Sequence, residues 1–309
     1  MTCILQLGPL TERFNRGLAA AHEVLRIWEQ DAEALLDQHA TRIDIVVTSA
    51  RFGCTAALIE RLPNLRAIVS FGVGYDSIDV AAAKARGIPV SNTPEVLNDC
   101  VADLAFGLII DCARQMSRAD RFVRAGDWPS GGLPLAARVS GKKLGIVGLG
   151  RIGEAVAKRS SGFDMQVRYH NRRPVAGSEF GYEPNLVELA RWSDFLVLTC
   201  PGGESTRNLI NRNVIDALGA KGSLINVSRG SVVDEPALVE ALVEGRLGGA
   251  GLDVYAKEPD VPEQLFNLPN VVLLPHIGSA TEETRQAMEE LLLANLHAFL
   301  ERGEMLTAV

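Results

Sequence analysis

The sequence predicts an α/β protein of two domains, and three observations predict this fold class. The chain has 309 residues, which is enough for about two domains of ordinary size. Short apolar segments alternate with helical patterns along most of the chain. The alternation becomes more regular after residue 140, where six apolar segments follow one another as is typical of a doubly wound parallel sheet.

The first 95 residues form the earlier α/β series. Strands are predicted at residues 3–7, 43–48, 67–71 and 88–91. Helices are predicted at residues 17–29, 55–61 and 80–86. Buried apolar strands that are separated by helices favour a parallel sheet with helices on its faces.

A long helix that begins near Pro94 is predicted to lead from the first series to the second, and residues 126–132 are predicted to form a loop. The second series has predicted strands at residues 143–147, 165–170, 195–199, 223–227, 249–254 and 271–274. Helices are predicted between them at residues 151–160, 184–190, 213–218 and 236–244. A last helix over residues 281–302 is expected to return to the first domain.

Composition excludes several classes of protein. A formal net charge of −7 and a pI near 5.4 argue against a nucleic-acid-binding surface. The five cysteines are scattered and odd in number, which suggests neither a disulfide framework nor a metal site and fits a cytoplasmic protein. No apolar run approaches the roughly 20 residues that a membrane span needs. The chain starts with a strand pattern and a turn, so we expect no signal peptide.

A glycine-rich turn lies between the first strand and the first helix of the second series. It consists of Gly148, Leu149, Gly150, Arg151, Ile152 and Gly153. In a dinucleotide site the first glycine permits the tight turn, the second lets the backbone approach a pyrophosphate, and the third lets helix and strand pack closely. The helix N-terminus supplies N–H groups and a positive dipole. The alternative is a turn without a ligand, but the strand before it and the helix after it favour dinucleotide binding.

The next strand ends at the position that selects between the two nicotinamide dinucleotides. An NAD site places an acidic residue there for the ribose hydroxyls, whereas this chain has Asn171, Arg172 and Arg173. A guanidinium holds a 2′-phosphate through charge-assisted hydrogen bonds, and an acid would repel it. The sequence therefore predicts NADP as the cofactor, against the alternative of a solvated turn with two arginines.

Three reactive side chains follow strands of the second series. Arg229 follows the fourth strand, Glu258 the fifth and His276 the sixth. In open α/β sheets ligands bind beyond the carboxyl ends of the strands, so these residues are expected to converge. His276 would be the general acid, Glu258 would orient its ring, and Arg229 would supply a fixed cation for a carboxylate and carbonyl. Each residue alone has a structural explanation, and their joint placement favours reduction of a 2-keto acid.

The segments around these residues resemble the D-isomer-specific 2-hydroxyacid dehydrogenase family. The most similar branch is that of the NADPH-dependent glyoxylate, hydroxypyruvate and hydroxyphenylpyruvate reductases, and the similarity covers nearly the whole chain. The motifs that carry it are NVSRG at residues 226–230, GGAGLDVY at 248–255, KEP at 257–259 and PHIG at 275–278. In that family the arginine binds substrate, the histidine is the acid/base and the glutamate is its partner.

The resemblance implies a doubly wound Rossmann nucleotide-binding domain, residues 96–279, inserted in a flavodoxin-like substrate-binding domain formed by residues 1–95 and 280–309. It also implies a homodimer, with the active site in a cleft between the domains. The residues whose roles come from the resemblance are Val73 and Gly74, whose N–H groups would hold the substrate carboxylate, and Val227 and Asp253, which would contact the cofactor.

Three features of the chain leave substrate choice open. Arg51 and Phe52 lie where the family's first domain faces the substrate, and the loop around Trp128 would either reach a partner's active site or cap the interface. The leading hypothesis is NADPH-dependent reduction of glyoxylate or hydroxypyruvate. The alternatives are a phenylpyruvate-like substrate and, from a different class, a non-catalytic dinucleotide-sensing corepressor.

Overall fold

The computed structural model describes residues 2–309 and divides the chain into two compact units. The first unit comprises residues 2–97 together with 281–309, and the second comprises residues 98–280. The second unit is therefore an insertion in the sequence of the first. The substrate and cofactor roles that the sequence assigned to the two domains stay predictions.

The first unit contains one parallel sheet of five strands. They are β1 (Cys3–Gln6), β2 (Glu23–Arg26), β3 (Ile45–Ser49), β4 (Ala67–Phe71) and β5 (Val90–Ser91). The helices between them are α1 (Glu12–Ala21), α2 (Ala32–His39), α3 (Ala56–Arg61) and α4 (Val80–Ala85). The strand order is β2-β1-β3-β4-β5, which is the flavodoxin-like order, and every pairing is parallel. The predicted fold of this unit is confirmed.

The helix predicted over residues 17–29 is wrong in its second half. Helix α1 begins after Thr11, whose side chain accepts a hydrogen bond from the Phe14 N–H, and it ends before His22 in extended backbone. Strand β2 follows at once and pairs with β1 only. Its four residues are all half-buried because the strand lies at the sheet edge, so it lacks the apolar run that would have identified it.

The second unit contains a parallel sheet of seven strands. They are β6 (Lys143–Val147), β7 (Gln166–His170), β8 (Gly181–Tyr182), β9 (Phe195–Leu198), β10 (Ser223–Asn226), β11 (Gly249–Leu252) and β12 (Val271–Leu273). The helices are α5 (Asn98–Arg114), α6 (Met116–Arg124), α7 (Arg151–Ser160), α8 (Leu186–Trp192), α9 (Arg212–Leu218) and α10 (Glu235–Val243). The order β12-β11-β10-β9-β6-β7-β8 is the doubly wound Rossmann order with one further strand.

Two predictions for the second unit need correction. The sequence predicted six strands and omitted β8, whose two residues pair with β7 and are too short to show a periodicity. The long helix begins at Asn98 and not near Pro94, because Glu95 has a φ of 73° and lies in the left-handed region. A second left-handed residue, Gln115, separates α5 from α6.

The C-terminal helix α11 (Glu282–Arg302) packs on β4 and so belongs to the first unit, as predicted. Leu292 and Leu296 on its inner face are fully buried. Glu289 is also buried, and its carboxylate pairs with the Arg13 guanidinium at 2.9 Å and accepts a hydrogen bond from the Thr11 hydroxyl. These contacts attach the last helix to the first one. Among residues 2–309 no helix is both long and apolar enough to cross a membrane.

We expect Leu296→Ala to destabilise the protein by about 2–5 kcal/mol, because it removes a fully buried side chain and leaves a cavity beside the first sheet. Glu301→Ala on the exposed face of the same helix is the matched control and should change stability by less than about 0.5 kcal/mol. Differential scanning calorimetry of the two variants checks this. Equal melting temperatures would contradict the packing of α11.

Candidate active site

The three predicted reactive residues lie beyond the carboxyl ends of three adjacent strands. Asn226 at the end of β10 pairs with Leu252 at the end of β11, which pairs with Leu273 at the end of β12. The segments that follow these strands therefore leave the sheet at the same edge. They carry Arg229, Glu258 and His276.

His276 and Glu258 form the central pair of the site. Nδ1 of His276 lies 2.6 Å from Oε2 of Glu258, and the other carboxylate oxygen accepts a hydrogen bond from the Tyr255 N–H at 3.2 Å. Burial opposes ionisation of Glu258, but the hydrogen bond and charge of His276 outweigh it, with the Tyr255 amide and Arg229 helping, so the pKa of Glu258 lies below its usual value. The His276 side chain is 43% exposed and leaves Nε2 as its second ring nitrogen for chemistry.

His276 adopts an unusual backbone conformation, and Asp253 holds the turn that follows it. The φ of His276 is 55°, in the left-handed region that non-glycine residues rarely adopt. The buried carboxylate of Asp253 accepts hydrogen bonds from the Ile277 N–H at 2.7 Å and from the Gly278 N–H at 2.8 Å. Burial raises the pKa of Asp253, although these two amides act against the rise. The side chain thus anchors the histidine turn to the end of β11.

The turn that carries Arg229 is held from two sides. The Asn226 side chain accepts from the Ser228 N–H at 3.0 Å and donates to the Arg229 carbonyl oxygen at 3.0 Å. A Cβ at Gly230 would lie 1.9 Å from the Tyr255 carbonyl carbon, so only glycine permits this backbone contact. Arg229 is half-buried, and the contact of Gly230 with the Tyr255 backbone brings its turn beside the peptide that donates to Glu258. Its charge also lowers the pKa of Glu258.

The glycine turn has the shape that a pyrophosphate requires. Gly148 has a φ of 101°, and a Cβ there would lie 2.5 Å from the Cys200 backbone nitrogen. A Cβ at Gly153 would lie 2.3 Å from the Gly148 carbonyl oxygen. By contrast, a Cβ at Gly150 would meet nothing within 4 Å, so the backbone is accessible at this residue. Helix α7 begins at Arg151, directly after this turn, and the positive end of its dipole suits an anion.

The residues predicted to select the cofactor follow β7, beside this turn. Val147 at the end of β6 pairs with His170 at the end of β7, so Asn171 and the two arginines lie next to the glycine turn. Arg172 and Arg173 are exposed, and neither has an ion-pair partner among residues 2–309. Two exposed cations beside an accessible phosphate-binding turn fit a dinucleotide that carries a 2′-phosphate.

The predicted carboxylate anchor lies in the first unit, directly after β4. Gly72 has a φ of 116°, and its N–H donates to the Thr93 hydroxyl at 2.9 Å. The Asn92 side chain donates to the Val73 carbonyl oxygen at 2.8 Å. Within the described part of the chain, the N–H groups of Val73 and Gly74 donate to no acceptor. The turn thus presents two N–H groups that suit a carboxylate.

Comparison with known proteins shows the family of this chain. Residues 106–278 match the family model for the NAD binding domain of D-isomer specific 2-hydroxyacid dehydrogenases. A glyoxylate/hydroxypyruvate reductase A of Arabidopsis thaliana is 48% identical over 307 residues, which cover 99% of this chain and 98% of that protein. The chain belongs to the D-isomer specific 2-hydroxyacid dehydrogenase family.

Two further proteins are similar over nearly their whole length. A hydroxyphenylpyruvate reductase of Plectranthus scutellarioides is 47% identical, with 99% of this chain and 98% of the relative covered. The crystal structure of an NADPH-dependent glyoxylate/hydroxypyruvate reductase of Sinorhizobium meliloti, in complex with NADP and malonate, is 43% identical with a TM-score of 0.94 and covers 100% of this chain and 96% of that one. The predictions of the family, of an oxidoreductase and of a nicotinamide dinucleotide cofactor are confirmed.

The sequence did not reveal which side chains of this 2-hydroxyacid dehydrogenase hold the catalytic turns. The Tyr255 hydroxyl donates to the Leu274 carbonyl oxygen at 3.0 Å and ties the segment after β11 to the end of β12. Burial raises its pKa to about 12, so it stays a donor. Asp253 was predicted only as a cofactor contact. Both of its carboxylate oxygens accept hydrogen bonds from the N–H groups that follow His276. Val227 is half-buried against an apolar cluster that includes Ile225 and Val272, and its predicted contact with the cofactor stays a prediction.

We expect Gly230→Ala to lower the melting temperature of the dehydrogenase by several degrees, because its Cβ would overlap the Tyr255 backbone. Gly107→Ala is the matched control, since Gly107 lies in α5 with nothing within 4 Å of its Cβ position. The control should keep or raise the melting temperature through its better helix propensity. Thermal unfolding of both variants tests the contact, and an unchanged Gly230→Ala variant would refute it.

Proposed function

We propose that this dehydrogenase reduces small 2-keto acids, with glyoxylate and hydroxypyruvate preferred, to D-2-hydroxy acids with NADPH. The observation that carries the proposal is the His276–Glu258 pair at 2.6 Å, with the charge of Arg229 beside it. A non-catalytic dinucleotide sensor has no need of this arrangement.

The chain's own residues account for the proton and for substrate orientation. Bound NADPH supplies the hydride for the carbonyl carbon. The carbonyl oxygen accepts a proton from Nε2 of His276, because Nδ1 is engaged by Glu258. Glu258 stabilises the protonated ring before this transfer. Arg229 holds the carboxylate and carbonyl oxygens of the substrate.

The preference for NADPH is proposed from the side chains that follow β7. Arg172 and Arg173 supply exposed positive charge where an NAD site has an acid. The Sinorhizobium meliloti reductase was crystallised with NADP, which supports NADP as the cofactor of the present protein. A 2′-phosphate would form charge-assisted hydrogen bonds with either guanidinium.

A second candidate substrate is a hydroxyphenylpyruvate-like acid, because the reductase that is named for this activity is almost as similar as the glyoxylate/hydroxypyruvate reductase. The loop after β3 bears on this choice. The Phe52 ring lies against Gly8, where a Cβ would come within 2.3 Å of it, and the Arg51 guanidinium lies 5.7 Å from the ring centroid. Phe52 is nevertheless 37% exposed, so this loop offers both an aromatic face and a cation, and the kinetic comparison below decides between the two substrates.

Steady-state kinetics with glyoxylate, hydroxypyruvate and hydroxyphenylpyruvate test the proposal, each with NADPH and with NADH. We expect the highest kcat/KM for one of the two small acids with NADPH. His276→Gln should lower kcat by about 10²–10⁴-fold while NADPH binding is retained. No NADPH oxidation with any 2-keto acid, despite tight cofactor binding, would favour the sensor instead.

We further propose that the protein is a cytoplasmic homodimer. All five cysteines are free thiols, which supports a reducing compartment. Helix α6 buries none of its residues, and it exposes Met116 and Val123. The segment that follows exposes two-thirds of Trp128 and all of Leu135. Apolar side chains concentrated in one stretch of sequence support a protein interface there, and a second copy of the chain is the proposed partner.

Sedimentation velocity tests the dimer. The wild-type protein should sediment as a dimer at micromolar concentration, and Leu135→Asp should raise the dimer dissociation constant at least about tenfold by placing a charge in the interface. Val243→Asp, at an exposed apolar position on α10, is the control and should leave the dimer intact. A monomeric wild-type protein would refute the proposal.

A further inference from the structure

Asn171 uses its side chain to hold the glycine turn. Its Oδ1 accepts a hydrogen bond from the Leu149 N–H at 2.7 Å, and its Nδ2 donates to the Leu149 carbonyl oxygen at 3.3 Å. Both backbone groups of one residue of the turn are thus bound by one carboxamide. Aspartate cannot make the same pair of bonds, because it has no N–H group to donate to the carbonyl oxygen.

The rest of the turn is held by backbone and hydroxyl groups. The Gly148 N–H donates to the His170 carbonyl oxygen at 2.9 Å, and the Thr199 hydroxyl donates to the Gly148 carbonyl oxygen at 2.7 Å. Without Asn171 the peptide groups on either side of Leu149 would lose their bonds to the end of β7. Leu149 comes directly before Gly150, the residue whose backbone is accessible.

The arginine pair is held by a different set of contacts. The Tyr182 hydroxyl donates to the Asn171 carbonyl oxygen at 3.2 Å, and the Tyr169 hydroxyl accepts from the Val175 N–H at 2.8 Å. The two tyrosine rings pack together with centroids 5.4 Å apart. These backbone contacts lie at both ends of the segment that carries Arg172 and Arg173. Its position therefore does not depend on the Asn171 carboxamide alone.

We propose that Asn171 is a positioning residue for the glycine turn and so determines affinity for the pyrophosphate, which NADPH and NADH share. Arg172 and Arg173 alone select the 2′-phosphate. This inference rests on the dinucleotide site of the proposed function but not on turnover. It separates two roles that the sequence grouped in three consecutive residues.

Binding of dinucleotide fragments to the full-length protein distinguishes the two roles. ADP-ribose carries the whole pyrophosphate without a 2′-phosphate, and 2′,5′-ADP carries a 2′-phosphate with only one of the two pyrophosphate phosphates. Isothermal titration calorimetry with both fragments, NADPH and NADH requires no catalytic activity. We expect Asn171→Ala to weaken ADP-ribose, NADH and NADPH by the same factor, roughly tenfold for the loss of a backbone hydrogen bond. It should weaken 2′,5′-ADP less, because this fragment has only one of the two phosphates that the turn would bind.

Arg172→Ala and Arg173→Ala should show the opposite pattern, with weaker 2′,5′-ADP and NADPH and unchanged ADP-ribose. Asn185→Ala is the matched control for stability. The Asn185 side chain also accepts backbone N–H groups, from Val187 at 3.0 Å and from Glu188 at 3.4 Å, but it caps α8 away from the turn. It should lower the melting temperature and leave all four affinities unchanged. Asn171→Ser serves as a second variant if alanine impairs folding.

Two results would overturn the proposal. Selective weakening of NADPH and 2′,5′-ADP by Asn171→Ala would show that Asn171 itself recognises the 2′-phosphate. A lower melting temperature with all four affinities unchanged would show a structural role only, as for Asn185. Wild-type protein that binds NADH better than NADPH would refute the proposed cofactor preference, and the uniform loss caused by Asn171→Ala would still stand.

Discussion

The buried carboxylate of Asp253 is the constraint on which the catalytic arrangement depends. It binds the two N–H groups that follow His276, and His276 itself has a left-handed backbone with a φ of 55°. That conformation costs about 1–3 kcal/mol for a non-glycine residue, and a hydrogen bond to a charged group contributes about 1.5–3 kcal/mol. Two such bonds are therefore sufficient to hold the turn. Because these bonds hold the backbone after His276 in place, Nδ1 of the imidazole stays 2.6 Å from the Glu258 carboxylate.

Close backbone contacts bring the remaining parts of the site together. Because Gly230 has no Cβ, the Arg229 turn packs directly against the Tyr255 backbone. In the same way, Gly148 lets the glycine turn pack against the Cys200 backbone. In both places a Cβ would overlap main-chain atoms, which cannot move aside as a flexible side chain can. The distances among the catalytic groups are thus determined by main chain packed on main chain. The Asn226, Asp253 and Tyr255 side chains add hydrogen bonds that hold the same turns.

The strand order places the predicted cofactor residues and the predicted catalytic residues at different positions along one edge of the sheet. Strands β6 and β7 are followed by the glycine turn and the arginines, and β10, β11 and β12 are followed by Arg229, Glu258 and His276. From β6 the strands are added on one side of the sheet as β7 and β8, and from β9 they are added on the other side as β10, β11 and β12. The position between β6 and β9 is therefore the topological switch point, where open α/β sheets bind ligands. A dinucleotide that crosses this point would have its phosphates at one group of strands and its reactive ring at the other.

The sequence by itself determined the features that depend on residues close together in the chain. These include the glycine turn between β6 and α7, the arginines at the end of β7 and the fold class. The sequence also predicted that Arg229, Glu258 and His276 lie beyond strand ends. The distances among them depend on the register of the sheet, which the structure supplied. Only the tertiary structure showed that Asp253 binds the turn after His276 and that Asn171 binds Leu149, because these pairs are 24 and 22 residues apart along the chain. Short edge strands such as β2 and β8 were missed for a related reason: what makes them strands is hydrogen bonding to a distant partner, and a sequence pattern of two to four residues does not encode that partner.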